Sequence, residues 1–259
     1  MMKNYFISVL CLFFSFSCFD KNIVLQDDLS LKFAKALNLF NKSKFSRAKD
    51  EFDYIIKLDP GSKYATESQY YMAESLFQLE EYLEASTVFD RYVRFAPDFS
   101  KIEIARYRIC ECAINSSNSF QRDQYQTQYA LEQLQMFIED FPSSKRLKDA
   151  ENAITQLRHK LATKDYESAR MYLKLEEYGS ALIYFKSVLN QFYDISISDD
   201  ARIGIVFTHI LNDNYQGAIS YFQSQSGRFL SEEKFNEAEK LLQESEDGLK
   251  MSQYIKLYK

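Results

Sequence analysis

The chain is short of the residues that reverse a backbone. It has six Gly and three Pro among 259 residues, far below the roughly 7% and 5% of ordinary usage. No Asn-Gly or Asp-Gly pair stands in a hairpin context. Sheet-rich folds use such residues at their turns, so the shortage argues against them and favours helices joined by polar turns. Tryptophan is absent, and 22 Phe and 19 Tyr supply the bulky apolar volume. Histidine is scarce: His159 and His209 stand 50 positions apart. There is no Gly-rich phosphate loop, G-x-S-x-G elbow, H-E-x-x-H helix or paired Cys ligand set, so nothing points to phosphoryl transfer, serine hydrolysis or zinc chemistry. The expectation is a protein that is not an enzyme and uses no cofactor or metal. An excess of positive charge is also missing. The formal net charge is −5, and clusters such as Arg158-His159-Lys160 read as solvated helix face. No nucleic-acid partner is expected.

Long apolar runs are absent except at the start. After Lys3, residues 5–16 (YFISVLCLFFSF) form one run that ends at Ser17-Cys18. A basic start, ~7–15 apolar residues and a small residue at the cut describe a secretory signal. A membrane span needs about 20 apolar residues. Bacterial lipoprotein signals end in a Cys that becomes the acylated first residue, and Ser15-Phe16-Ser17-Cys18 occupies that place, with Ser15 where Leu is usual. Cys18 is therefore the expected site of lipidation by diacylglyceryl and palmitoyl chains, which would tether a soluble domain to a bilayer. An ordinary signal peptide with an incidental Cys is the alternative. Of the other cysteines, Cys110 and Cys112 sit in the helical segment IEIARYRICECAI. Side chains two apart on a helix diverge and do not meet disulfide geometry, so both are expected to be buried packing residues.

One pattern recurs along the chain: aromatic, then Ala three residues on, then Phe four residues further, often closed by Pro. It reads Phe45-Ala48-Phe52-Pro60, Tyr82-Ala85-Phe89-Pro97, Thr127-Ala130-Leu134-Pro142, Tyr178-Ala181-Phe185 and Tyr215-Ala218-Phe222. Successive Ala residues are 37, 45, 51 and 37 apart, and Ala36, Ala73 and Ala169 each stand twelve before a repeat Ala. The three- and four-residue steps make apolar helix stripes, and a helix pair that cannot bury its face alone must stack on the next. Here the chain resembles the tetratricopeptide (TPR) repeat, whose small residues twelve apart let two antiparallel helices approach closely. The expected fold is all-α, a TPR-like solenoid of helical hairpins with about five repeats. The expected division is a signal peptide over 1–17, a lipidated linker over 18–30, repeats over 31–225 and a C-terminal capping helix and tail over 226–259. Asn115–Ser119 is expected to be a polar loop, and 144–164 a continuous helix.

Arg122-Asp123-Gln124 opens the third repeat, Phe141-Pro142-Ser143-Ser144 closes its second helix, and Leu157-Arg158, Tyr172-Leu173 and Tyr178 follow. With the repeat number and the N-terminal Cys, these residues resemble the BamD family of outer-membrane assembly lipoproteins over roughly residues 30–225. The resemblance implies a lipoprotein scaffold of the β-barrel assembly (BAM) complex, held at the periplasmic face of the outer membrane. Its implied partners are the POTRA domains of a BamA-like barrel protein, other BAM lipoproteins, unfolded outer-membrane proteins and the membrane itself. A TPR lipoprotein that assembles another envelope, secretion or pilus complex is the alternative. In a TPR stack the first helix of each pair lines a groove. Register with Ala36 and Ala73 then nominates Phe33, Leu37, Phe40, Tyr70, Glu74 and Phe77 as the partner or substrate groove. Inter-repeat packing is the competing role for each of them.

Overall fold

The computed structural model describes residues 28–246. Cys18 and the apolar run before it lie outside the described residues, as does the tail beyond 246. The chain is all-α and TPR-like: among the described residues there is no strand, and the helices pack consecutively as hairpins. The pairs are α1 (28–41) with α2 (Phe45–Leu58), α3 (Lys63–Gln78) with α4 (Tyr82–Phe95), and α5 (Phe99–Asn115) with α6 (Tyr125–Asp140). They continue as α7 (Leu147–Lys174) with α8 (Tyr178–Gln191) and α9 (Ile197–Leu211) with α10 (Tyr215–Gln225). A 3-10 turn (Ser226–Arg228) leads to the closing helix α11 (Glu232–Glu246).

The repeat alanines sit where helices cross. Ala36, Ala48, Ala73, Ala85, Ala130, Ala169, Ala181 and Ala218 are all 0% exposed, and a larger side chain at any of them would push neighbouring backbones apart. In α2, Ala48, Phe52 and Ile55 are the buried stripe that the spacing predicts. Side-chain caps fix several helix starts. Ser62 accepts from the Ala65 amide at 3.1 Å, Asp98 from Ser100 at 3.0 Å and Asn214 from Gly217 at 3.0 Å, each satisfying a donor with no partner inside the helix.

The turn inside four of the five hairpins is the same device. Ser43, Glu80, Glu176 and Asp213 adopt φ of 56°, 62°, 61° and 51°. At each, the turn residue and its successor donate back into the last helical turn: Glu80 to the Phe77 carbonyl and Glu81 to Leu76, Glu176 to Leu173 and Glu177 to Tyr172. This left-handed cap is normally filled by Gly, because a Cβ there costs roughly 1–2 kcal/mol. The near absence of Gly in the sequence therefore leaves strain at four turns. Glu176→Gly is expected to raise stability by up to about 1 kcal/mol, read as a higher urea midpoint with unchanged slope. A lower midpoint would show that the Glu176 side chain supplies more than the strain removes.

The third hairpin departs from this device. Residues 116–124 form a longer loop with no positive φ, organised by buried Gln124. Its amide donates to the Ser119 and Arg122 carbonyls at 2.8 Å each, and its carbonyl accepts from the Thr127 hydroxyl at 2.8 Å. Helix α7 starts at Leu147, later than the predicted 144–164 segment, because 144–146 form a turn in which Ser144 accepts from the Arg146 amide, and it runs beyond that segment to Lys174 because no Gly or Pro interrupts the chain there.

The described chain divides into two compact units, 28–117 with Glu132–Leu147, and Asn118–Leu131 with 148–246. In the first, Phe52, Phe89 and Tyr92 anchor the cores. Cys110 and Cys112 are free and buried there, and burial pushes both thiols up to about 12, which leaves them inert as nucleophiles. In the second unit, Phe185, Val188, Ile203 and Phe207 form a continuous core with Ala238, Leu241 and Leu242 of α11.

Candidate binding surface

Tyr70, Glu74 and Phe77 follow one another at helical steps on α3 and share one face. That face meets Arg108 and Glu111 of α5. Glu74 is 6% exposed, and the Arg108 Nε donates to its Oε1 at 2.9 Å. The Arg108 Nη1 donates to Glu111 Oε2 at 2.9 Å, and the guanidinium lies 4.7 Å over the Phe77 ring, close enough for a cation–π contact. Burial works against the Arg108 charge, but Glu74 and Glu111 outweigh it and hold the group more basic than usual. Tyr70 wedges between Tyr71, Phe89 and Tyr92 at centroid distances of 5.4, 5.9 and 5.3 Å. Burial, reinforced by the charge of Glu74, pushes its phenol upward, so it stays a neutral hydroxyl at any physiological pH.

Phe33 and Phe40 are placed differently. Both join an aromatic cluster between the first two hairpins. Phe33 lies 5.9 Å from Phe52, 5.7 Å from Tyr64 and 6.0 Å from Tyr71. Phe40 lies 5.4 Å from both Phe45 and Tyr71. Leu37 is half-buried on the same helix between them. The six nominated residues therefore form two groups, a packed aromatic set on α1 and a mixed aromatic and ionic set on α3.

Arg108 and Glu111 lie outside the apolar periodicity that nominates Tyr70, Glu74 and Phe77. A readable signal existed in the charges. Glu67 pairs with Lys101 at 2.7 Å and Glu74 with Arg108 at 2.9 Å, both across 34 residues, and Asp200 pairs with Lys234 in the second unit at the same offset. Each of these pairs joins a helix to the helix two places on in the chain.

Chemically, this surface offers half-buried rings and a partly exposed, doubly paired guanidinium, a set suited to gripping polypeptide. Among the described residues, no group of three His, Cys, Asp or Glu side chains could hold a metal ion, and no helix is long and apolar enough to cross a membrane.

The family model YfiO, described as an outer membrane lipoprotein, matches residues 26–206. The outer membrane protein assembly factor BamD of Rickettsia prowazekii is 24% identical over 183 residues, 71% of this chain and 73% of that one. The factor of the same name from Caulobacter vibrioides is 22% identical, over 70% of this chain and 60% of its own. That from Neisseria gonorrhoeae is 24% identical, over 67% and 69%. Among solved structures, the TPR domain of P58(IPK) is similar at a TM-score of 0.45 and 15% identity, covering 92% of this chain and 66% of that one. The TPR2AB domain of yeast Sti1 is similar at a TM-score of 0.44 and 13% identity, covering 77% of each.

Proposed function

This chain belongs to the YfiO outer membrane lipoprotein family, and on that premise we propose that it is a non-catalytic scaffold subunit of the outer-membrane β-barrel assembly complex. The observation that carries the reading is the family match over residues 26–206, which spans the first four hairpins and most of α9. In this role the protein is tethered through an acylated Cys18 to the periplasmic face of the outer membrane. It docks the POTRA domains of a BamA-type barrel protein, works beside other lipoproteins of the complex and engages unfolded barrel segments.

The physical task of such a subunit is differential binding of extended chain, with no bond made or broken. An extended barrel strand presents alternating apolar side chains, which half-buried rings such as Phe77 and Tyr70 can meet, while Arg108 meets backbone carbonyls. Glu74 and Glu111 support this by holding the Arg108 fork in one orientation, so little rotamer freedom remains to be lost on binding. Phe33, Leu37 and Phe40 offer a second, separate patch on α1, where packing against Tyr71 fixes the two rings in advance.

Affinity purification of the tagged chain from detergent-solubilised outer membrane tests the reading. A POTRA-bearing barrel protein is expected among the retained partners, and its absence would sink the proposal. Mass spectrometry of the mature N-terminus tests the tether separately: a diacylglyceryl-modified Cys18 is expected, and an unmodified Cys18 overturns it.

A further inference from the structure

The second unit carries a pocket that the assembly role does not use. It has a volume of about 600 Å³ and opens among α8, α9, α10 and the 3-10 turn, within the roughly 300–1,000 Å³ of small-ligand sites. Three cations line it, Lys186, Arg202 and Arg228, and no carboxylate does. Lys186 and Arg228 make no ion pair among the described residues. Arg202 is held by hydrogen bonds through one nitrogen, and its guanidinium lies 5.8 Å over the Phe229 ring. Its side chain is 5% exposed, and its Nη1 donates to Asp199 Oδ1 and to Ser198 Oγ, both at 2.8 Å. Its Nε has no partner in the protein.

A second buried donor lines the same wall. The Tyr221 hydroxyl also has no partner in the protein. Burial pushes this phenol upward, while the charges of Arg202 and Arg228 pull it the other way, which places both guanidinia within electrostatic reach of the ring. Buried donors without partners are rare because each forfeits its hydration without compensation. Two such donors on one concave wall, beside two cations, Lys186 and Arg228, that make no ion pair among the described residues, describe a site shaped for an acceptor. Leu189 and Leu230 supply the apolar part of the lining, and Asn190, Tyr193 and Gln225 complete it.

We propose that this pocket binds an oxyanion, carboxylate or phosphate, carried on an apolar body. Lys186 and Arg228 supply charge, the Tyr221 hydroxyl and the Arg202 Nε supply hydrogen bonds, and Leu189 and Leu230 cover the apolar part. A charge-assisted hydrogen bond is about twice as strong as a neutral one, so the anion is the determinant and the apolar body only adds to it. The proposal stands independently of the assembly role.

Calorimetric titration of the folded chain tests it with three probes: N-acetylphenylalanine, its neutral amide, and phenyl phosphate. At least one anion is expected to bind with a sub-millimolar Kd, and the amide at least about tenfold more weakly. Tighter binding of N-acetylphenylalanine identifies a carboxylate ligand, and tighter binding of phenyl phosphate a phosphate ester. The double variant Lys186→Gln, Arg228→Gln changes two exposed side chains and is expected to weaken the better anion about tenfold or more. Tyr221→Phe removes a hydroxyl that nothing in the fold uses, so it is expected to weaken binding severalfold while leaving Tm unchanged or raised. Equal binding of the amide, an undiminished affinity in the double variant, or no binding of either anion at about 10 mM would each overturn the proposal. A lower Tm for Tyr221→Phe would instead assign the hydroxyl to the fold and remove it from the site.

Discussion

Asp199→Ala is expected to destabilise the second unit by about 3–5 kcal/mol and to release α11 from its end. Asp199 is 1% exposed and stands in the first turn of α9. Its carboxylate accepts from Arg202 at 2.8 Å, from the Leu230 amide at 2.9 Å and from the Ser231 amide at 2.9 Å. One side chain thus neutralises a buried guanidinium, satisfies two backbone donors and fixes the entry to the closing helix. The first turn of α9 also favours a negative charge there. Removing the carboxylate leaves Arg202 buried without its counter-ion and two amides without an acceptor. Domains of ordinary stability have only about 5–15 kcal/mol in all, so the loss takes a large share. Hydrogen exchange should show α11 opening first, with Ala238, Leu241 and Leu242 losing protection. Adding Arg202→Met should recover part of the loss, because the buried charge goes, but not all of it, because the Leu230 and Ser231 amides remain unpaired. Full recovery would show that the amides find other acceptors, and a Tm within a degree or two of the parent for Asp199→Ala alone would refute the clasp.

Gly204→Ala should lower stability by about 1–3 kcal/mol, opposite in sign to the roughly 1 kcal/mol that Ala gains over Gly inside an exposed helix. Gly204 lies in α9 against the ring of Phe185, which is 1% exposed. A Cβ at this position would meet the Phe185 Cζ at 2.5 Å, Cε1 at 2.6 Å and Cε2 at 2.9 Å. The ring cannot swing away, since Tyr166 packs on it with centroids 5.6 Å apart and the surrounding core is full. Gly204→Val should cost more than Ala. Combining Gly204→Ala with Phe185→Leu makes room for the methyl, so the double variant should be more stable than the sum of the singles by at least about 1 kcal/mol. Additive effects in that thermodynamic cycle would place the loss elsewhere than at this contact.

The hairpin architecture was legible in the sequence because the repeat alanines have one physical role. Ala48, Ala85, Ala181 and Ala218 are small because two helices touch there, and each is fully buried. A signal with one cause transfers directly from pattern to structure. The aromatics carry two causes. Phe40 and Phe77 occupy the same register, each four residues after a repeat Ala, yet one packs against Tyr71 and the other lies under a guanidinium. Which of these a Phe does depends on the next hairpin, not on its own helix. The charges were the least legible. Asp199-Asp200-Ala201-Arg202 looks like ordinary solvated helix surface, and its i,i+3 acid–base spacing is common on exposed faces. The return of Leu230 and Ser231 to the start of α9 places two backbone amides on Asp199, which with Arg202 is buried. The lining cations of the pocket are likewise dispersed over three elements, and no local spacing brings Lys186, Arg202 and Arg228 together. Strain at Ser43, Glu80, Glu176 and Asp213 escaped notice because the sequence places polar residues there and withholds Gly, so the usual mark of a left-handed cap is missing.

The charge pairs set 34 residues apart also bear on how such a chain can change over evolutionary time. Each pair ties one helix to the helix two places on, so a rearrangement that moves whole neighbouring hairpins together keeps both partners, whereas a cut between them leaves a charge without its mate. The ion pairs thereby act as a filter on recombination, favouring growth by whole hairpins. The loop at 116–124, which uses no left-handed cap, is the place where extra residues can enter without disturbing that arithmetic.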